Sequence, residues 1–228
     1  DAREDALRKV LRTNSPSLVL SNRRFHELLA NGIDVETRQE EGRIAGDKAW
    51  LVDFEHPEDN DWLAVNQFAI IENGHSRRPD LVVFLSGLPV AIFELKNPAD
   101  EEATIWSAYE QLRTYQSEIP SLFHLNELLV VSDGTEARLG CLTSPRERFL
   151  PWRTVDGQKI AAKGSLELET LIRGVFDKTR LLDLLRHFIV FEDGGGAISK
   201  KVAAYHQFHA VNRAVEATVK AASAKGDK

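Results

Sequence analysis

The sequence predicts an α/β domain, a mixed central sheet flanked by helices. Three observations carry that expectation. Two β-rich runs, Leu81 to Ser86 and Val90 to Lys96, are separated only by Gly87, Leu88 and Pro89, which suggests a hairpin. A helical stripe follows, with Ile105, Tyr109, Leu112 and Tyr115 or Gln116 recurring on one face. Leu128 to Ser132 then reads as a short strand of the fully buried type.

The remaining elements follow in order. Asp1 to Gly32 reads as two helices. Leu7, Val10 and Leu11 mark the apolar face of the first. Phe25, Leu28 and Leu29 mark the second, with Ser21 as its cap and Gly32 as its end. Ala49 to Ile71 reads as extended, from the alternation of Trp50, Val52 and Phe54, of Leu63 and Val65, and of Phe68 and Ile70. Asn97 or Asp100 opens the helix of Ile105, and Pro120 closes it. Asp133-Gly134 turns the chain into Ala137 to Thr143, a second hairpin, and Arg146 to Gly157 is irregular. Ser165 caps a helix through Arg173, with Glu167 and Glu169 placed favourably near its positive end. Asp177 to His187 is a further helix, followed by a strand from Phe188 to Phe191. Glu192-Asp193-Gly194-Gly195-Gly196 is the best linker, and Val202 to Ala222 is a long helix beyond it.

Composition narrows the function classes. The chain has 228 residues, room for one large domain or a domain plus part of a second. Apolar residues make up 43% and charged residues 28%, ordinary values for a globular protein. No apolar run can span a bilayer, and the charged start has no signal-peptide pattern. The single Cys141 excludes an internal disulfide and a multi-cysteine zinc site, which fits a cytoplasmic protein. Methionine is absent, even at position 1, so a piece of a longer protein is expected. The net charge of -6 means that any nucleic-acid site must be a local basic patch, aided by metal ions or partners.

The chemistry concentrates in Arg77-Arg78-Pro79-Asp80 and Glu94-Leu95-Lys96. Residues two apart on a strand share a face, so Glu94 and Lys96 project together. A hairpin brings Asp80, at the mouth of the preceding strand, near the far end of the second. Two carboxylates and one ammonium then converge on one sheet edge. Two carboxylates suit Mg²⁺, a hard ion that prefers oxygen ligands. Such a metal polarises a phosphoryl oxygen and lowers the pKa of a bound water. A lysine can position that water and stabilise charge on phosphorus. The plain alternative is a surface Glu–Lys pair, which is common and weak. On the pattern alone both readings stay open, although a charged pair directly after the apolar Val90 to Phe93 asks for a reason.

The segment from Arg78 to Pro98, with its Pro-Asp, its tight turn and its Glu-Leu-Lys, resembles the nuclease core of the motor (R) subunits of type I restriction-modification enzymes, members of the PD-(D/E)xK nuclease superfamily. The similarity continues through Ala103 to Tyr115, Asn126 to Gly134, Phe149 to Arg153 and Leu184 to Asp193. The resemblance implies a restriction-endonuclease-like fold over residues 1–193. It implies a linker and the first helix of a truncated helicase-like motor domain over 194–228. It assigns Asp80, Glu94 and Lys96 as catalytic, the two carboxylates as Mg²⁺ ligands. Gln111 and Tyr115 match a Gln-x-x-x-Tyr element that supports the site or touches DNA; they lie four apart, on one helical face. Arg77 and Arg78 adjoin Asp80 and become candidate phosphate contacts.

The same resemblance places Gln207, in Ala203 to Val211, as an adenine-recognising residue of the full-length protein. No Gly-x-x-x-x-Gly-Lys-Ser/Thr phosphate loop occurs in the sequence, so ATP belongs to the full-length protein only. The activity implied is Mg²⁺-dependent, non-sequence-specific cleavage of double-stranded DNA, coupled to ATP-driven translocation. Methyltransferase (M) and specificity (S) subunits would be partners, and no membrane is involved. Rival readings are a non-catalytic module that docks DNA onto the motor, a small-molecule hydrolase with a closed apolar pocket, and a structural ion pair. Glu27 and Glu40 are candidates for a further acidic ligand, and the seven histidines read as surface or structural residues.

Overall fold

A computed structural model describes residues 2–12, 15–38, 44–99 and 104–223. The chain begins with helices α1 (Ala2–Leu11) and α2 (Leu18–Asn31) and the hairpin β1 (Ile33–Arg38) and β2 (Ile44–Ala49). Strands β3 (Trp62–Asn66), β4 (Ile70–Glu72), β5 (His75–Arg77), β6 (Leu81–Leu85) and β7 (Leu88–Leu95) follow. Helices α3 (Ile105–Glu118) and α4 (Pro120–His124) lead to β8 (Leu128–Ser132) and β9 (Ala137–Gly140). The chain continues through α5 (Glu167–Val175), α6 (Lys178–His187), β10 (Ile189–Asp193), β11 (Ile198–Val202) and α7 (Tyr205–Ala222). Among the described residues no helix is long and apolar enough to cross a membrane.

The central sheet has five strands in the order β3-β6-β7-β8-β9. It is mixed: β7 and β8 are parallel and every other neighbouring pair is antiparallel. Parallel neighbours need a crossover, and the connection from β7 to β8 runs through α3 and α4. Both faces of the sheet are covered, which is why β7 and β8 read as continuous apolar runs rather than alternating ones. Ile92, Leu129 and Val131 pack against Ala108, Leu112 and Phe123 of α3 and α4. Ala91, Phe93, Leu128 and Val130 pack on the other side with Phe25 and Leu29 of α2, Leu171 of α5 and Leu181 of α6. This is the predicted α/β class, a restriction-endonuclease-like mixed sheet flanked by helices.

Several element boundaries differ from the sequence expectation, each for a local reason. Trp50 to Phe54 alternates but is not a strand. Asp53 accepts hydrogen bonds from the Glu55 and His56 N–H groups at 2.8 Å, and the Asn60 amide closes the loop onto the Asp53 backbone, so turn chemistry wins over periodicity. The β6–β7 turn is Ser86-Gly87, both left-handed (φ 49° and 81°), while Leu88 and Pro89 already belong to the strand. Helix α2 starts after Ser17, and Ser21 lies buried inside it. Helix α3 is capped by Thr104 in a reciprocal box with Ser107; Asn97 is outside the helix and Asp100 lies outside the described residues. Pro120 opens α4, where its missing N–H costs nothing. Strand β9 ends at Gly140, because Ser144 turns back onto Cys141. Leu166 rather than Ser165 precedes α5.

The glycine triplet is the largest change. Gly194 to Gly196 turns the β10–β11 hairpin, in which Ile189 pairs with Val202 and Asp193 with Ile198. The chain therefore folds back at this point instead of leaving the body as an extended tether. Phe208, near the start of α7, packs into the core against Phe188 and Trp152.

Candidate functional site

Strand register builds the site. Leu81 pairs with Phe93 across β6 and β7, so continuing the register sets Asp80 opposite Glu94. Directly opposed residues present their side chains on one face. The Leu95 N–H donates to Asp80 Oδ2 at 2.8 Å and fixes one carboxylate oxygen. Glu94 and Lys96 share that face, and the Lys96 N–H is tied to Ser132 O on β8 at 2.7 Å. Lys96 Nζ donates to Glu94 Oε1 at 3.3 Å and to Gln111 Oε1 on α3. Gln111 Nε2 donates in turn to the Tyr115 hydroxyl at 2.5 Å. The structure thus brings together Asp80, Glu94, Lys96, Gln111 and Tyr115, from a strand end, a hairpin partner and one helical face.

Burial sets the electrostatics. Glu94 is only 2% exposed. Burial, then the neighbouring Asp80 charge, pushes its pKa up to about 7, with Lys96 pulling the other way. Its Oε2 atom is buried with no hydrogen-bond partner among the described residues. An orphaned, solvent-shielded carboxylate oxygen beside a second carboxylate is the donor set that a hard divalent cation satisfies, so these residues fit Mg²⁺. Burial also raises the Tyr115 pKa, and the nearby Glu94 and Asp80 charges add to it. That keeps the phenol protonated as a donor or acceptor near the lysine.

Other sequence candidates lie elsewhere or are engaged differently. Arg77 is committed to Glu118 of α3 through a two-pronged ion pair, which holds the Glu118 carboxyl below its usual range. Arg78 is exposed and makes no ion pair among the described residues. Glu27 is paired with Arg23 one helical turn away on α2, and Glu40 lies outside the described residues. Gln207 sits in the first turn of α7, where its Oε1 accepts the Ala204 N–H at 2.9 Å. It lines a pocket of about 490 Å³ with Phe188, Val202, Val211 and Lys201.

Sequence reasoning missed Gln67. It follows β3, directly opposite Asp80, and its Nε2 donates to Asp80 Oδ1 at 2.8 Å. Only the pairing of β3 with β6 reveals this, and the sequence names no partner for β3. It also missed Asp53, His56 and Asp59, whose ligand-type atoms lie within 4.8 Å of one another on the exposed loop before β3. The hydrogen bonds that close this loop already account for the position of Asp53.

Comparison with known proteins identifies the family. The family profile described as type I restriction enzyme R protein N terminus matches residues 2–148. The chain is 41% identical to the type I restriction enzyme HindI endonuclease subunit of Haemophilus influenzae, over 99% of this chain and 22% of that protein. It is 34% identical to the putative MjaIXP endonuclease subunit of Methanocaldococcus jannaschii, over 95% of this chain and 22% of that protein. The chain therefore spans about a fifth of the length of these relatives. With a mixed sheet of the predicted class and a match over well over half its residues, the chain belongs to the family of type I restriction enzyme R proteins, as their N-terminal part.

Proposed function

We propose that this chain is the nuclease part of a type I restriction enzyme R subunit and hydrolyses phosphodiester bonds of double-stranded DNA with Mg²⁺, without reading sequence. The observation that carries this reading is the orphaned Glu94 Oε2 beside Asp80, with Lys96 on the same face. Asp80 and Glu94 would hold the ion, which when bound supplies a polarised phosphoryl oxygen and a water of lowered pKa. Lys96 places its ammonium where negative charge grows as the water oxygen bonds to phosphorus and the bond to the leaving oxygen breaks. Gln111 fixes the direction of that ammonium by accepting one of its hydrogen bonds, and Tyr115 fixes Gln111. Arg78, exposed two residues from Asp80, is suited to a backbone phosphate, a contact that carries no base information.

In the complete protein, cleavage would be coupled to ATP-driven translocation, and M and S subunits would supply methylation and recognition. The nuclease body would run past residue 193, since β11 and Phe208 pack into it, and the rest of α7 would lead into the motor. Gln207, which lines the pocket beside Phe188 and Val211, would then recognise adenine. The test uses the intact protein with Mg²⁺. Asp80→Ala, Glu94→Ala and Lys96→Ala should each abolish cleavage and leave ATPase activity unchanged. Cleavage that survives all three substitutions removes the assignment.

A further inference from the structure

We propose that Gln67 is a positioning residue for Asp80, a role that rests on the reading of Asp80 as a metal ligand. Strand β3 pairs with β6 up to Asn66 and Leu81, and one further rung joins the Gln67 N–H to Asp80 O at 2.9 Å. At that rung the chain leaves the sheet through a left-handed residue, Gln67, with φ 52°. Non-glycine residues take this conformation rarely and need their surroundings to hold them there. Phe68 then packs edge-on against Phe84 of β6, at 5.2 Å between ring centres. The main-chain rung behind Gln67 and the aromatic pair ahead of it hold the backbone, and the side-chain amide reaches Asp80 Oδ1.

The consequence for Asp80 is geometric. Each of its carboxylate oxygens accepts one N–H, Oδ2 from the Leu95 backbone and Oδ1 from Gln67. An ionised carboxylate offers about four acceptor positions, so one on each oxygen remains for an ion. The plane of the carboxylate is then set before any ion arrives. The backbone donor belongs to the sheet, so Gln67 is the side chain that completes the clamp. Gln67 and Gln111 flank the site as two amides, one directing the acid and the other the lysine.

Gln67→Gly tests this role, because glycine adopts the left-handed backbone freely and removes the side chain with its amide without straining the turn. Mn²⁺ binding is measured by calorimetry on the intact protein without DNA, alongside thermal midpoints and Asp80→Ala. The expected result is a half-saturating Mn²⁺ concentration raised about tenfold or more, as for the loss of other partners that orient a metal ligand. The thermal midpoint should not fall, and at saturating Mn²⁺ the cleavage rate should largely return. Mn²⁺ affinity equal to that of the unaltered protein overturns the proposal while leaving Asp80 as a ligand. A lowered midpoint accompanying the loss assigns the effect to folding and overturns it as well. If the unaltered protein and Asp80→Ala behave alike towards Mn²⁺, the nuclease reading itself fails, and this role goes with it.

Discussion

Glu94 carries the conflict on which the site depends: a carboxylate at the end of a buried strand, one oxygen on Lys96 and the other without a hydrogen-bond partner among the described residues. Without metal, its proton is held more tightly in the folded than in the unfolded chain, since burial raises its pKa from 4.5 to about 7. The folded state therefore binds the extra proton across that interval, and stability falls as pH rises from about 4.5 to about 7. At about 1.4 kcal/mol per pH unit the upper limit of that loss is about 3 kcal/mol. Urea titrations at pH 5 and pH 7.5 with a chelator present should show the slope, and Glu94→Gln should remove most of it. Adding Mn²⁺ should restore stability at the higher pH only in the unaltered protein. Spacing showed in the sequence that Glu94 and Lys96, and Gln111 and Tyr115, share faces, but it was the family resemblance that singled these residues out together with Asp80. Gln67 was not legible, since its neighbour is thirteen residues away across a strand pairing that the sequence does not announce.

At the scale of elements, hydrophobic period located most helices and strands, and side-chain-to-backbone hydrogen bonds decided where they stop. Asp53 and Thr104 show the limit, one breaking an alternating run and the other starting a helix later than the first available cap. Helix α5 gives a case where propensity misleads. Gly174 lies inside it, and glycine to alanine in an exposed helix interior gains about 1 kcal/mol. Here the added methyl would lie 2.5 Å from the Thr154 carbonyl oxygen and 2.5 Å from Trp152 Nε1. A backbone oxygen cannot move aside cheaply, so overpacking should dominate. Gly174→Ala is expected to destabilise the protein by about 1–2 kcal/mol, read as a lower urea midpoint with an unchanged slope. A gain in stability would show that the irregular stretch around Thr154 yields easily.

At the scale of the molecule, the last hairpin is bound in by a buried charge. Lys200 of β11 is fully enclosed, and its three N–H donors meet Glu127 Oε2 at 2.6 Å, Asn22 Oδ1 at 2.9 Å and Asn126 O at 3.0 Å. His26 Nδ1 lies 3.1 Å from the same Glu127 oxygen. Burial alone would raise the Glu127 pKa, but Lys200 and His26 outweigh it and hold the carboxyl below its usual range. One cation thus joins α2, the start of β8 and the chain after the glycine turn. Lys200→Met leaves Glu127 charged, buried and short of its main partner, a loss of about 3–5 kcal/mol. Combining it with Glu127→Gln should recover a substantial part, because the uncompensated charge is gone. Denaturant unfolding of both variants checks this; equal losses would mean that packing rather than charge makes the connection.

The sequence by itself determined the α/β class, the hairpin of Leu81 to Leu95, the helix carrying Gln111 and Tyr115, and the shared face of Glu94 and Lys96, while the resemblance named Asp80 with them as a candidate site. The class, the elements and the shared face follow from short-range periodicity. Only the tertiary structure decided that β3 lies against β6, that Gln67 grips Asp80, and that the glycine triplet folds Lys200 back into the core. Those contacts join residues far apart in the chain, and their energy comes from burial and register, which no local pattern of residue types encodes.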